Sequence, residues 1–199
     1  MLITPLFAVV AAACSVAIPI PVGQQPEPFC SVEGLRFYTD FEGGALHACS
    51  QGPVGPVLTI GPEYAPINPS PWYAYRIESD SDREITVTHR YIHGRHRYAP
   101  RVGYGDMTWQ LLPPENQEVF DNGSFAYRLA VRHRGTWIAA QPVMDPNHMI
   151  IWSEELRRRA GLDAAVVATS PGGRRITLYH LEPAESRGWV VLMSRQHPP

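Results

Sequence analysis

The sequence has no excess charge of either sign: 17 Lys and Arg stand against 19 Asp and Glu, a formal net charge of −2 over 199 residues. A polyanion-binding surface needs clustered positive charge, so nucleic acid is not expected as a partner. Long apolar runs are also missing. Met1 to Ala13 (MLITPLFAVVAAA) is apolar, but it falls short of the roughly 20 residues that a membrane-spanning helix requires. No lysine or arginine stands near Met1, no internal repeat is visible, and helical periodicity is scarce before residue 148. Cysteine is sparse, with Cys14, Cys30 and Cys49 only. One intrachain bridge is therefore the most the chain can form.

Proline and glycine, in contrast, are plentiful and scattered (20 and 16), a composition that favours strands joined by turns. Residues 1–14 read as an export signal, since a short apolar stretch leads to small residues. Two readings stay open there. Cleavage could follow Ala11-Ala12-Ala13, or Ala11-Ala12-Ala13-Cys14 could act as a lipobox, with Cys14 lipid-modified and anchored in a membrane. The expected location is in either case outside the cytoplasm: periplasmic, on the cell envelope, or secreted. Residues 15–29 are proline-rich and without periodicity, which suits a tether. Once Cys14 is removed or acylated, Cys30 and Cys49 remain as an even pair. They form a disulfide in an oxidising compartment or stay as two buried thiols.

Residues 30–143 carry a β pattern. In Phe125 to Arg132, Phe125, Tyr127, Leu129 and Val131 alternate onto one face, as in a half-buried antiparallel strand. Ile85 to Thr88 and Trp109 to Leu111 alternate too, and Trp72 to Ile77 is aromatic-rich. Turn signals such as Gly52-Pro53, Asn122-Gly123 and Arg134-Gly135 separate these runs. The expected fold class is mainly β: an antiparallel β-sandwich of jelly-roll type. The character changes after Pro146. His148 to Leu162 reads as a helix, with acidic residues preceding basic ones and Gly161 as its stop. Ala165 to Ala168 and Ile176 to Tyr179 follow as a hairpin around Ser170-Pro171-Gly172-Gly173. Trp189 to Met193, apolar on both faces, reads as a central strand. Residues 144–199 are thus expected to open an incomplete α/β domain.

That last apolar run delivers His197 at its C-terminal end, within Arg195-Gln196-His197-Pro198-Pro199. A buried strand ending in a histidine is one way in which an α/β sheet presents a metal ligand at its edge. The segment resembles the carboxypeptidase A-like zinc carboxypeptidases, where such a strand ends in His-x-x-Glu. Ala168-Thr169-Ser170-Pro171-Gly172-Gly173-Arg174 is similar to that family's Gly-x-Ser-x-x-Gly-Arg hairpin, with Ala168 and Arg175 as departures. Phe37 to Leu46 and Pro71 to Ile77 look like the β-domain that precedes catalysis in cytosolic-type relatives. The resemblance implies an exported zinc metallocarboxypeptidase acting on peptide or protein substrates, with zinc as cofactor and His197 as a zinc ligand. It also implies that most of the catalytic groups would lie past Pro199, leaving this chain inactive alone. No residue of the chain is expected to be catalytic, and Ser170 is expected to be structural.

Other residues carry weaker signals. His89, His93 and His96 form the densest histidine cluster, and His89 and His93 would share a strand face. The neighbouring Arg90, Arg95 and Arg97 would repel a divalent cation there. Asp40 and Glu42 fit a solvated turn better than a calcium site. Trp72, Tyr73, Tyr75, Tyr91, Tyr98, Tyr104 and Trp109 could line a sugar-binding face or fill a core. The competing reading is accordingly a secreted, non-catalytic β-sandwich module that binds carbohydrate or protein.

Overall fold

The computed structural model describes residues 27–62, 71–104, 108–181, 185, 188 and 190–192. In chain order the strands are β1 (Cys30–Val32), β2 (Leu35–Tyr38), β3 (Ala48–Gln51), β4 (Pro56–Ile60), β5 (Ala74–Ser79), β6 (Arg83–Tyr91), β7 (Arg101–Gly103), β8 (Trp109–Leu111), β9 (Gln117–Val119), β10 (Phe125–Val131) and β11 (Thr136–Ala139). Helix α1 (Pro146–Ala160) and strands β12 (Asp163–Thr169) and β13 (Arg175–His180) follow.

The first eleven strands form a sandwich. One sheet runs β1-β2-β5-β11-β7-β8 and the other β3-β4-β6-β10-β9. The alternation read in Phe125 to Val131 places Phe125, Tyr127, Leu129 and Val131 in the core, while Arg128 and Ala130 face out. Phe37, Tyr75, Ile77 and Ile138 meet them from the opposite sheet, all with no exposed surface. Side chains from two inner faces interdigitate in this way to fill a layer about 10 Å thick. Between β1 and β2, Glu33 (φ 47°) and Gly34 (φ 74°) both adopt positive φ. A two-residue hairpin turn needs this if its twist is to match that of its strands.

One pairing departs from the expected antiparallel pattern. β4 and β6 run parallel, with Val57 opposite Thr88 and Ile60 opposite Tyr91. The cause is connectivity: between them the chain crosses into the other sheet as β5 and returns, so both strands enter from the same end. The Cys30–Cys49 disulfide (Cα–Cα 6.3 Å) joins β1 to β3, the two edge strands at the same side of the sandwich. It links the two sheets.

Helix α1 begins two residues before the predicted His148. Asp145 is its N-cap, accepting the His148 backbone N–H at 2.8 Å, and Pro146 occupies the first turn. Both choices are favourable there, since the carboxylate satisfies an orphan donor and proline lacks the N–H that would be unpaired. Gly161 ends the helix in the left-handed conformation (φ 64°), as expected. Strands β12 and β13 form the predicted hairpin, with a register shift between Val166 and Ala168. The Ser170 side chain accepts the Arg174 backbone N–H at 3.1 Å, and the Gly173 N–H donates to the Ser170 carbonyl at 2.9 Å, so Ser170 serves the turn.

The expected central strand at Trp189 to Met193 is not formed among its described residues. Val190, Val191 and Leu192 lie outside any strand, with Val190 87 % and Leu192 91 % exposed. A central strand needs pairing partners on both sides and cover on both faces, and the two-stranded hairpin offers neither.

Candidate functional site

Of the sequence-based site residues, Cys30 and Cys49 are joined in the disulfide between β1 and β3. His197 and Cys14 lie outside the described residues. Among the described residues, no group of three or more His, Cys, Asp or Glu could hold a metal ion.

The histidine cluster separates. β6 ends at Tyr91, and the chain turns at Gly94 (φ 77°), leaving His93 exposed. His89 instead points into the core with no exposed surface, so it shares no face with His93. Its Nε2 lies 2.8 Å from the Tyr75 hydroxyl and 3.3 Å from that of Tyr127, and those two hydroxyls are hydrogen-bonded to each other. Burial lowers the His89 pKa to about 3, with the nearby His96 acting in the same direction, so the ring stays neutral and suits a buried hydrogen-bond network. His96 folds back to stack on Phe125 at 3.5 Å between centroids and meets the Tyr91 hydroxyl at 2.9 Å. Desolvation lowers its pKa to about 4. Burial also raises the Tyr75 and Tyr127 hydroxyls well above the usual phenol range. This cluster is core architecture, and it absorbs Tyr73 and Tyr75 as well.

A cleft lies elsewhere, on the outer face of the six-stranded sheet where α1 begins. It has a volume of about 280 Å³ and is lined by Phe41, Gly103, Trp109 and Trp137 together with the polar Glu42, Asp145 and His148. Its residues Trp137, Gly103 and Trp109 belong to a row of residues directly opposite one another across five adjacent strands. Tyr38 faces Arg76, Arg76 faces Trp137, Trp137 faces Gly103, and Gly103 faces Trp109. Alternation puts all five on the outer face, because their neighbours Phe37, Tyr75, Ile77, Ile138 and Val102 point inward.

Within this row the Arg76 guanidinium lies 4.4 Å from the Tyr38 ring centroid and 5.8 Å from that of Trp137. Phe41 meets Trp137 edge-on at 4.6 Å. Glu42 Oε1 accepts from Arg174 of the β12–β13 turn at 2.6 Å, tying the hairpin to the sandwich. His148 Nδ1 lies 3.1 Å from Asp145 Oδ1, close enough for a hydrogen bond but not aligned for one. Of this cleft the sequence pointed only to Trp109 and Glu42, and it gave Glu42 a different role. Trp137, Gly103 and Asp145 become neighbours only through strand register and the position of the helix cap.

Over about three-quarters of its length the chain is similar in fold to bacterial carboxypeptidases of known structure. A metallo-carboxypeptidase from Burkholderia cenocepacia aligns with a TM-score of 0.60 at 15 % identity, covering 77 % of this chain and 41 % of that one. A metallo-carboxypeptidase from Pseudomonas aeruginosa, solved with (2-guanidinoethylmercapto)succinic acid, aligns with a TM-score of 0.54 at 18 % identity, covering 75 % and 41 %. The chain thus spans about two-fifths of the length of either protein. No protein-family model and no curated protein matches the sequence.

Proposed function

We propose that this chain is the N-terminal part of an exported, zinc-dependent metallocarboxypeptidase that removes C-terminal residues from peptides. The observation that carries the reading is the fold likeness over three-quarters of the chain to metallo-carboxypeptidases of which it covers only 41 %. The Arg195 to Pro199 segment supports it, as does the hairpin Ser170 to Arg174.

The described residues do not fit a zinc site, since no set of donors converges. Hydrolytic zinc takes three protein ligands and a water. In this reading His197 is one ligand, and the remaining ligands and the general base belong to the rest of the enzyme. The 199-residue chain therefore holds no zinc tightly and hydrolyses no peptide on its own. Its contribution is the β-domain and the first hairpin of the catalytic sheet.

The test is expression of the chain with whatever coding sequence follows Pro199. The expected product contains one zinc per molecule and releases C-terminal residues from peptides in a chelator-sensitive way. A zinc-free, inactive product, or a codon other than glutamate after Pro199, would overturn the reading. Chelator-sensitive peptidase activity from the 199 residues alone would overturn the assignment of the missing groups. Fractionation of the native cells, with mass analysis of the mature N-terminus, tests export and the choice between cleavage and a lipid anchor at Cys14.

A second reading is favoured by the Trp109–Trp137 cleft: a secreted binding module without chemistry. Binding of a ligand at that cleft, together with a stop codon after Pro199, would select it.

A further inference from the structure

The chain is nearly neutral, but positive charge gathers in the loop after β6. Residues 85–105 contain four arginines and no Asp or Glu. The loop is pinned to the sandwich from below. His96 stacks on Phe125 and meets the Tyr91 hydroxyl, while the Tyr73 hydroxyl donates to the Tyr98 carbonyl at 2.7 Å. With His96 and Tyr98 drawn toward the core, Arg95 and Arg97 are left exposed, as are Arg90, Ile92 and His93. None of Arg90, Arg95 and Arg97 forms an ion pair with a described residue. The three arginines of α1, in contrast, all pair with Glu154 or Glu155.

Two further features share this end of the sandwich. Phe120, 38 % exposed, follows β9, which reaches this end because Val119 and His89 both pair with Phe125. Asp121 follows Phe120 and offsets one of the positive charges. The chain also enters the sandwich here. Strands β1 and β5 both run antiparallel to β2 and so start from one end, and Tyr73, just before β5, packs on His89 at 4.5 Å. Phe29, 45 % exposed, stands at that entry.

We propose that this end of the sandwich docks on an anionic membrane surface, with Arg90, Arg95 and Arg97 meeting lipid phosphates and Ile92 entering the headgroup layer. A guanidinium matches phosphate oxygens with paired N–H donors and is weakly hydrated. Each basic residue near an acidic bilayer contributes about fivefold in partitioning. An acidic peptide would satisfy the same arginines, but it would gain nothing from an apolar side chain exposed among them. A bilayer interface accepts both. The entry point of the chain adds to this, since a chain anchored through its first residues presents this end, and not the opposite one, to the bilayer. The proposal does not depend on the carboxypeptidase reading, because every residue it uses belongs to the sandwich.

The test is vesicle binding by the full chain. Vesicles of phosphatidylcholine alone give the baseline, including any contribution of Met1 to Ala13. Vesicles of equal parts phosphatidylcholine and phosphatidylglycerol give the charged surface. Partitioning onto the charged vesicles should exceed the baseline about a hundredfold at low salt and fall back toward it in roughly half-molar NaCl. Neutralising the loop with Arg90→Gln, Arg95→Gln and Arg97→Gln together should remove the excess, and Ile92→Ser should lower binding severalfold. The matched triple in α1, Arg157→Gln, Arg158→Gln and Arg159→Gln, changes the net charge equally and should leave the excess within twofold. Amides of residues 90–97 should exchange more slowly on the charged vesicles. The urea midpoint verifies that each variant is folded, and Arg95→Glu alone serves if the loop triple is not. The proposal is overturned by equal partitioning onto both vesicles, by an equal loss in the α1 triple, or by unprotected amides at 90–97. Binding to poly-glutamate without binding to the charged vesicles would also overturn it, in favour of an acidic protein partner.

Discussion

In the sandwich, Phe37, Ile77, Val87, Phe125 and Ile138 have no exposed surface, whereas in the hairpin Val166, Val167, Ile176 and Leu178 each keep about half of theirs. The residue types are similar; the surroundings differ. Every residue of β12 and the consecutive residues Arg175 to Leu178 of β13 are exposed, and successive strand residues point to opposite faces, so the hairpin is uncovered on both. Helix α1 buries none of its residues, and Ile150, Ile151, Trp152 and Leu156 lie open. What holds this segment together is local: the Asp145 cap, ion pairs of Glu154 and Glu155 with Arg157, Arg158 and Arg159, and the Tyr179 hydroxyl bonded to Ser153 at 2.9 Å. Exposed pairs of this kind contribute a few tenths of a kcal/mol each, and an isolated two-stranded hairpin is marginal. The difference teaches that the stability of this chain is concentrated in its β-domain, while the segment from Asp145 to His180 presents apolar surface suited to being covered by more structure.

The largest expected contrast is in side-chain truncation. Phe37→Ala should cost about 3–5 kcal/mol through lost transfer energy and a cavity, read as a fall in urea midpoint. Val166→Ala should stay within about 0.5 kcal/mol. Similar losses from both would abolish the contrast. Reduction of the Cys30–Cys49 bridge comes next. It closes a loop of 19 residues, so chain entropy predicts a loss of about 3 kcal/mol, confined to sandwich probes such as Trp72 fluorescence.

Acid should act on the same half of the molecule. His89 is held neutral by burial, with its pKa lowered to about 3. Above the unfolded value near 6.5 neither state is protonated and stability is full. As the pH falls below it, the unfolded chain binds a proton that the folded one refuses, until about pH 3. Stability should therefore drop by roughly 1.4 kcal/mol per pH unit between pH 6 and 4, with half-buried His96 adding in the same direction. His89→Gln should flatten that slope, and an unchanged slope would remove the buried imidazole from the account. The smallest effect concerns α1. Asp145→Ala should cost the helix about 1 kcal/mol, seen as faster amide exchange in residues 147–150 with no change in the sandwich. Limited proteolysis orders the halves directly, with cleavage expected within residues 140–181 before any cut between Cys30 and Ala139.

Much of the fold was legible from pattern. The alternation of Phe125 to Val131, the glycine stop at Gly161 and the Ser170 to Gly173 turn all work over a few residues, where backbone geometry and burial impose a fixed period. The helix start was misjudged by two residues because the signal is a cap, Asp145 with Pro146, rather than the apolar periodicity. At Val190 to Leu192, the described part of the expected central strand, no strand forms, for the opposite reason. An apolar run reports that burial is wanted and does not supply the neighbours that provide it. The histidine cluster failed on phase: a strand that stops at Tyr91 puts His89 inside and His93 in a turn, and no local rule sets that stop.

By itself the sequence determined the local matters: strands broken by turns, one capped helix, one hairpin, and a near-even balance of charge. These depend on residues close together in the chain, whose preferences are written in side-chain size, branching and polarity. Only the tertiary structure decided that β4 and β6 run parallel, that the disulfide ties edge strands of opposite sheets, and that Tyr38, Arg76, Trp137, Gly103 and Trp109 form one row. Strand order and register bring together residues up to 99 positions apart, Tyr38 and Trp137 among them. That choice is made by the packing of the whole core, which no short window of sequence contains.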